Sequence, residues 1–184
     1  MQATSILMDE HRDIEGFLTS LESAAERLAS GAPVRPGFFL EAAEFVKGFA
    51  DGCHHRKEEG ALFPALESAG VPRQGGPIGV MLAEHEEGRR LTRGMRAAAE
   101  KLEAGSVAFR GEVVQAARAY VALLRQHIAK EDTVLFPMAD RLLQPAAAAR
   151  LAEEFDRVEQ EETGAGVHDK YMAMAVALAR EASA

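Results

Sequence analysis

One eleven-residue phrase occurs twice. HHRKEEGALFP at residues 54–64 aligns without gaps on HIAKEDTVLFP at residues 127–137, 73 residues later. His54 falls on His127, Lys57 on Lys130 and Glu58 on Glu131, while Leu62, Phe63 and Pro64 fall on Leu135, Phe136 and Pro137. Glu59 stands opposite the chemically similar Asp132, and Glu10-His11 returns as Glu84-His85 after 74 residues. The chain therefore reads H…HxxxE…H…HxxxE, and a duplication of this kind predicts two copies of one supersecondary unit packed against each other.

The unit is helical. Ile6, Leu7, Ile14, Phe17, Leu18, Leu21, Ala25 and Leu28 recur at three- and four-residue intervals, as one buried helix face requires. The spacing predicts a first helix from Thr4 or Ser5 to Ser30-Gly31, a second over 38–68, a third over 78–103 and a fourth over 107–143. Residues 70–77, rich in glycine and proline, form the loop between the two repeats. Gly48, Gly52 and Gly60 inside the second helix each cost about 1 kcal/mol relative to alanine, which predicts tight packing or a bend near the motif. Pro64 and Pro137 close the two motifs, where a kink or a helix end is expected. Two hairpins, each placing one His opposite one HxxxE, make an all-α, antiparallel four-helix bundle over residues 1–143. Residues 144–184, with shorter helices expected over 146–161 and 167–181 around a Gly164-Ala165-Gly166 break, form a C-terminal helical extension packed on the bundle.

Several partners are argued against. The formal net charge is −8 with both signs interspersed, whereas a phosphate-binding face needs concentrated Lys and Arg, so nucleic acid is not expected. No apolar run approaches the ~18–20 residues that span a bilayer, and MQATSILMDEHRDI lacks the basic-then-apolar order of a signal peptide. A single cysteine, Cys53, makes no internal disulfide. The expectation is a cytoplasmic protein.

Residues i and i+4 stand one above the other on a helix, so His54 with Glu58 and His127 with Glu131 each direct an imidazole and a carboxylate the same way. His11 and His85 complete the set from the other two helices. Four imidazoles and two carboxylates suit iron, with manganese or zinc as chemical substitutes. His55–Glu59 is an alternative pair, but its counterpart in the second repeat is Ile128–Asp132, which offers no imidazole. Glu59 and Asp132 are read as a solvated face or as support for the ligands, and Glu10 and Glu84 as hydrogen-bonding or salt-bridging neighbours. Cys53 and Tyr120 are read as core packing, with a tyrosine hydroxyl facing a bound oxygen species as the second reading of Tyr120. In the extension, His168 and Tyr171 form the polar edge of a packing helix, or His168 reaches the centre as a sixth histidine.

Through DEH at 9–11, HHRKEEGALFP, AEHEEGRR at 83–90 and HIAKEDTVLFP, the chain resembles the hemerythrin-like, or HHE cation-binding, family over residues 5–143. The resemblance implies a non-haem di-iron centre with an oxo or hydroxo bridge. His11, His54, His85 and His127 would be terminal ligands to two iron ions, and Glu58 and Glu131 bridging ligands. Oxygen-carrying members have five histidines, two of them one turn apart on the third helix; here Met81 and Arg89 flank His85 at that spacing. The departure implies two similar iron environments and points away from reversible O2 carriage. The expected function is binding of, or reaction with, O2, peroxide or NO. The alternative is an iron- or oxygen-sensing module without turnover, read out by the C-terminal extension. No protein partner is identified.

Overall fold

The computed structural model describes residues 3–164 and 166–183, without the side chains of 161–163. Met1, Gln2, Ala184 and Ala165, the middle of the expected break, lie outside the described residues. Among these, six helices follow one another: α1 (Ala3–Ala29), α2 (residues 38–68), α3 (Pro77–Glu103), α4 (residues 110–142), α5 (residues 145–164) and α6 (Val167–Ala182). No helix of the described residues is long and apolar enough to cross a membrane. Helices α1 to α4 pack as the bundle, α3 against α4, α1 against α4 and α2 against α3, while α6 lies along α1 and α2.

Two helices are not uniform. In α2 an α-helical start (Phe38–Phe45) widens into π-helical turns at Val46–His55 and Glu58–Leu62 before α-helix resumes at Phe63–Ser68. In α4 the same change occurs at Glu131–Leu135. Each duplicated motif thus carries a π turn ahead of its proline. Proline lacks the N–H that an α-helix would use and crowds the carbonyl four residues back; an i→i+5 register spares both. The chain therefore passes through Pro64 and Pro137 and runs on to Ser68 and Leu142, where a helix end had been one expectation.

The buried apolar residues fall into two clusters, with a polar layer between them. On α1, Leu7 belongs to one and Ile14 to the other; His11 stands between. The same order holds for Cys53 and Leu62 around His54 and Glu58, for Met81 and Met95 around His85, and for Leu124 and Leu135 around His127 and Glu131. Phe63, Phe136 and Phe155 close one side of this layer; Phe45, Phe49 and Tyr120 close the other.

Of the three glycines flagged in α2, Gly48 has a clear steric reason. A Cβ there would lie 1.8 Å from the Tyr171 hydroxyl of α6, so the bare backbone is the seat on which the last helix docks. Gly60 has open space beside it. Gly48→Ala is expected to destabilise the fold by about 1–3 kcal/mol by overpacking. Gly16→Ala and Gly94→Ala, at exposed helical positions with nothing near the added carbon, should stabilise it by up to about 1 kcal/mol. Urea unfolding of the three variants checks the opposite signs.

Candidate metal centre

Seven ligand-type side chains from all four bundle helices converge in the polar layer: His11 from α1, His54, His55 and Glu58 from α2, His85 from α3, and His127 and Glu131 from α4. None is more than 3% exposed. Glu131 Oε2 lies 3.3 Å from His11 Nε2 and 3.2 Å from His127 Nε2. Glu58 repeats the arrangement, with Oε1 3.6 Å from His54 Nε2 and Oε2 3.4 Å from His85 Nε2. His85 Nε2 and His127 Nε2 face each other at 3.1 Å. Two groups result, each with its ligand atoms within 4.8 Å of one another: His55, Glu58, His85 and His127, and His11, His54, Glu58 and Glu131. Glu58 belongs to both.

His54 and His55 are not alternatives; both enter. Consecutive α-helical residues diverge by about 100°, which keeps two neighbours from facing one point. The π turn at Val46–His55 turns less per residue, and both rings are buried. His55 stacks on His85 with centroids 3.8 Å apart. The fifth imidazole therefore comes from α2, not from α3, where Arg89 instead hydrogen-bonds Glu59 at 2.6 Å and Glu86 at 2.7 Å. Glu59 stays outside the two groups.

Each of the five rings presents Nδ1 to a carboxylate. His54 meets Glu10 at 2.9 Å, His127 meets Glu84 at 3.0 Å, His85 meets Glu59 at 2.7 Å and His11 meets Asp132 at 2.7 Å. These are two symmetry-related pairs of the duplication. Lys57 holds Glu10, and its counterpart Lys130 holds Glu84. His55 breaks the symmetry and uses Asp51 at 2.9 Å, a residue four before it whose role the sequence reading missed. The i, i+4 spacing of Asp51 and His55 was the available signal. An acceptor on Nδ1 fixes the proton there and turns the Nε2 lone pair inward, the arrangement typical of metal-bound histidine.

Most of the inward atoms are left without hydrogen-bond partners. Nε2 of His11, His54 and His55, and both carboxylate oxygens of Glu58 and of Glu131, make no hydrogen bond although fully buried. Leaving a buried polar group unmatched costs about 1–3 kcal/mol, more when it is charged. Imidazole nitrogens and carboxylate oxygens gathered this way fit a metal cation. Burial opposes a proton on His11, yet the Asp132 hydrogen bond and the adjacent Glu131 and Glu58 carboxylates outweigh it and hold its pKa up to about 9. His127 behaves alike: burial is overcome by the Glu131 charge and by the hydrogen bond to Glu84, raising it to about 10. His55 goes the other way, since burial and the neighbouring imidazoles hold it well below the ordinary histidine range.

The remaining candidates lie outside these two groups, and Cys53 and His168 gather with Glu10 and Glu159 in a third. Tyr120 is buried with an unpartnered hydroxyl, and its ring lies beside Gly88, three residues past His85. Cys53 is a buried thiol that burial pushes up to about 11. His168 does not join either group; its ring meets Phe49 edge-on, 5.3 Å away, and its Nδ1 lies 3.4 Å from Glu159.

Comparison with known proteins agrees with this geometry. Three relatives share 28% identity over 158 residues, which is 86% of this chain and 61% of theirs: uncharacterized protein Mb2018 of Mycobacterium bovis and uncharacterized proteins MT2051 and Rv1995 of Mycobacterium tuberculosis. The chain thus spans under two thirds of the length of these relatives. No solved structure matches it. The sequence model of the hemerythrin HHE cation binding domain matches residues 2–139. That span contains all seven inward side chains and the five carboxylates behind the rings, and the chain belongs to the hemerythrin HHE cation-binding domain family.

Proposed function

We propose that the chain is a non-haem di-iron protein that binds or reacts with O2, peroxide or NO at an oxo- or hydroxo-bridged centre. The observation that carries this reading is the pair of overlapping ligand groups sharing Glu58, with most of their inward atoms unpartnered. His11, His54 and Glu131 with Glu58 would hold one ion; His55, His85 and His127 with Glu58 would hold the other. Iron supplies one-electron chemistry and a Lewis-acidic position for a small oxygen species. The ligand types also accept manganese or zinc, so iron is chosen on chemistry and supply together.

The two groups are unequal, three imidazoles with one carboxylate against two with two. Each has four donors, but Glu131 Oε2 also lies 3.2 Å from His127 Nε2 and so reaches the three-imidazole group as a fifth; the other position then keeps more room for an added ligand, which restores O2 binding to the range that a four-histidine site argued against. Complete burial of the layer restricts that ligand to a diatomic molecule or peroxide. The chain's residues do the remaining work: Glu10, Asp51, Glu59, Glu84 and Asp132 orient the rings, and the phenylalanines on both sides exclude water. A cytoplasmic setting, with neither nucleic acid nor membrane as partner, accords with the mixed surface charge and the single thiol. A sensing module is the second reading, favoured by the contact of the C-terminal extension with Lys57.

Anaerobic loading with ferrous iron followed by air tests the proposal. Two irons per chain with oxo-bridged diferric bands are expected; one iron, or none, overturns it. Catalytic loss of added peroxide or NO then identifies an enzyme, and binding without turnover a sensor. Loading should also release protons. His11 and His127 carry them below pH about 9 and about 10, and a metal ion needs the same Nε2 atoms. At pH 7.5 about two protons should leave these rings per chain, and metal affinity should rise with pH until those values are passed. A pH-stat titration measures both.

A further inference from the structure

The family match stops at residue 139, yet a residue beyond it reaches the metal layer. Glu159, in the π-helical end of α5 (Val158–Gly164), places Oε2 2.9 Å from Lys57 Nζ. Lys57 also bonds Glu10 Oε1, and Glu10 Oε2 accepts from His54 Nδ1 at 2.9 Å. One continuous line of contacts thus joins the C-terminal extension to a ligand ring.

The duplication provides the comparison. Lys130 does for Glu84 and His127 what Lys57 does for Glu10 and His54, but its side chain is 40% exposed and, among the described residues, pairs with Glu84 alone. The Lys57 side chain is 0% exposed. A buried ammonium is costly unless its partners are in place, and here it has two carboxylates, one from α1 and one from the extension. Glu159 Oε1 also lies 3.4 Å from His168 Nδ1, on the helix that Tyr171 seats over Gly48.

We propose that Glu159 is a positioning residue for the His54 half of the metal centre, acting through Lys57 and Glu10, so that the extension is a working part of the site. The proposal rests on the metal reading of the preceding subsection. Without Glu159, the buried Lys57 keeps Glu10 as its one remaining carboxylate and draws it from His54; the ring then loses the acceptor that aims Nε2. By reciprocity, an ion on His54 holds the extension in place.

Cobalt(II) titration, followed by ligand-field absorption, tests this on the full chain. The wild-type protein should take up two ions. Glu159→Gln, which keeps the size of a half-buried side chain, should weaken one of them about tenfold and leave the other unchanged. Lys57→Met should weaken the same ion, and Lys130→Met the other one. Cobalt should slow amide exchange in α5 and α6 of the wild type, and should fail to do so in Glu159→Gln. The proposal is overturned if Glu159→Gln titrates as wild type, or if it weakens both ions equally alongside a lower melting temperature. A wild-type chain that takes up no cobalt overturns the metal reading itself, and this role with it.

Discussion

Glu58→Ala should empty both metal positions at once. Glu58 is the one side chain common to the two ligand groups, and each of its oxygens faces a different ring, His54 on one side and His85 on the other. Each of the five imidazoles serves a single group, and Glu131, placed in one, approaches the other only through its Oε2, 3.2 Å from His127 Nε2. Removing an orienting partner behind a ligand costs 10–100-fold in affinity, and loss of a shared ligand should exceed about 100-fold for each ion. His11→Ala, by contrast, should weaken the ion of its own group and spare the other. Metal content after gel filtration, measured beside cobalt titration, separates the two outcomes. Retention of one tightly bound ion in Glu58→Ala would mean that the groups do not share this carboxylate.

The contrast between these variants depends on how the layer is built, and only part of that was legible in the sequence. The duplication was sufficient for the bundle, because two helical hairpins with matching apolar faces have few other ways to bury them. It also picked out His11, His54, Glu58, His85, His127 and Glu131, since i, i+4 spacing is what an α-helix converts into a shared face. Glu10 and Glu84 were placed beside the rings, but each turned out to serve the histidine of the neighbouring helix and not the one next to it in sequence. That pairing is tertiary and has no local signature. The π turns had only indirect signals, the prolines that follow Leu62-Phe63 and Leu135-Phe136 and the glycines at 48 and 52. A helix net drawn with 3.6 residues per turn sends His55 away from His54 and hides Asp51 behind it. Nothing in the extension's composition marks Glu159 as the residue that reaches Lys57, because that contact joins positions 102 residues apart.

His55→Ala distinguishes the duplicated site from the one the structure builds. The duplication offers Ile128 at the matching position, so a centre made by the repeat alone has four imidazoles and two like halves. The π turn adds a fifth ring to one half. His55 stacks on His85, takes its Nδ1 acceptor from Asp51 and leaves Nε2 buried and unpartnered. Because its pKa lies well below the ordinary value, the ring is neutral at pH 7 and binds an ion without giving up a proton, unlike His11 and His127. The variant should therefore lose the ion of the three-imidazole group and keep that of His11, His54 and Glu131, giving one iron per chain and no oxo-bridged bands. Asp51→Asn should weaken the same ion by about 10-fold to 100-fold without abolishing it. Two irons with an unchanged spectrum in His55→Ala would reduce the ring to packing. The two halves would then be alike, with no inequality left to make room for O2 on one side.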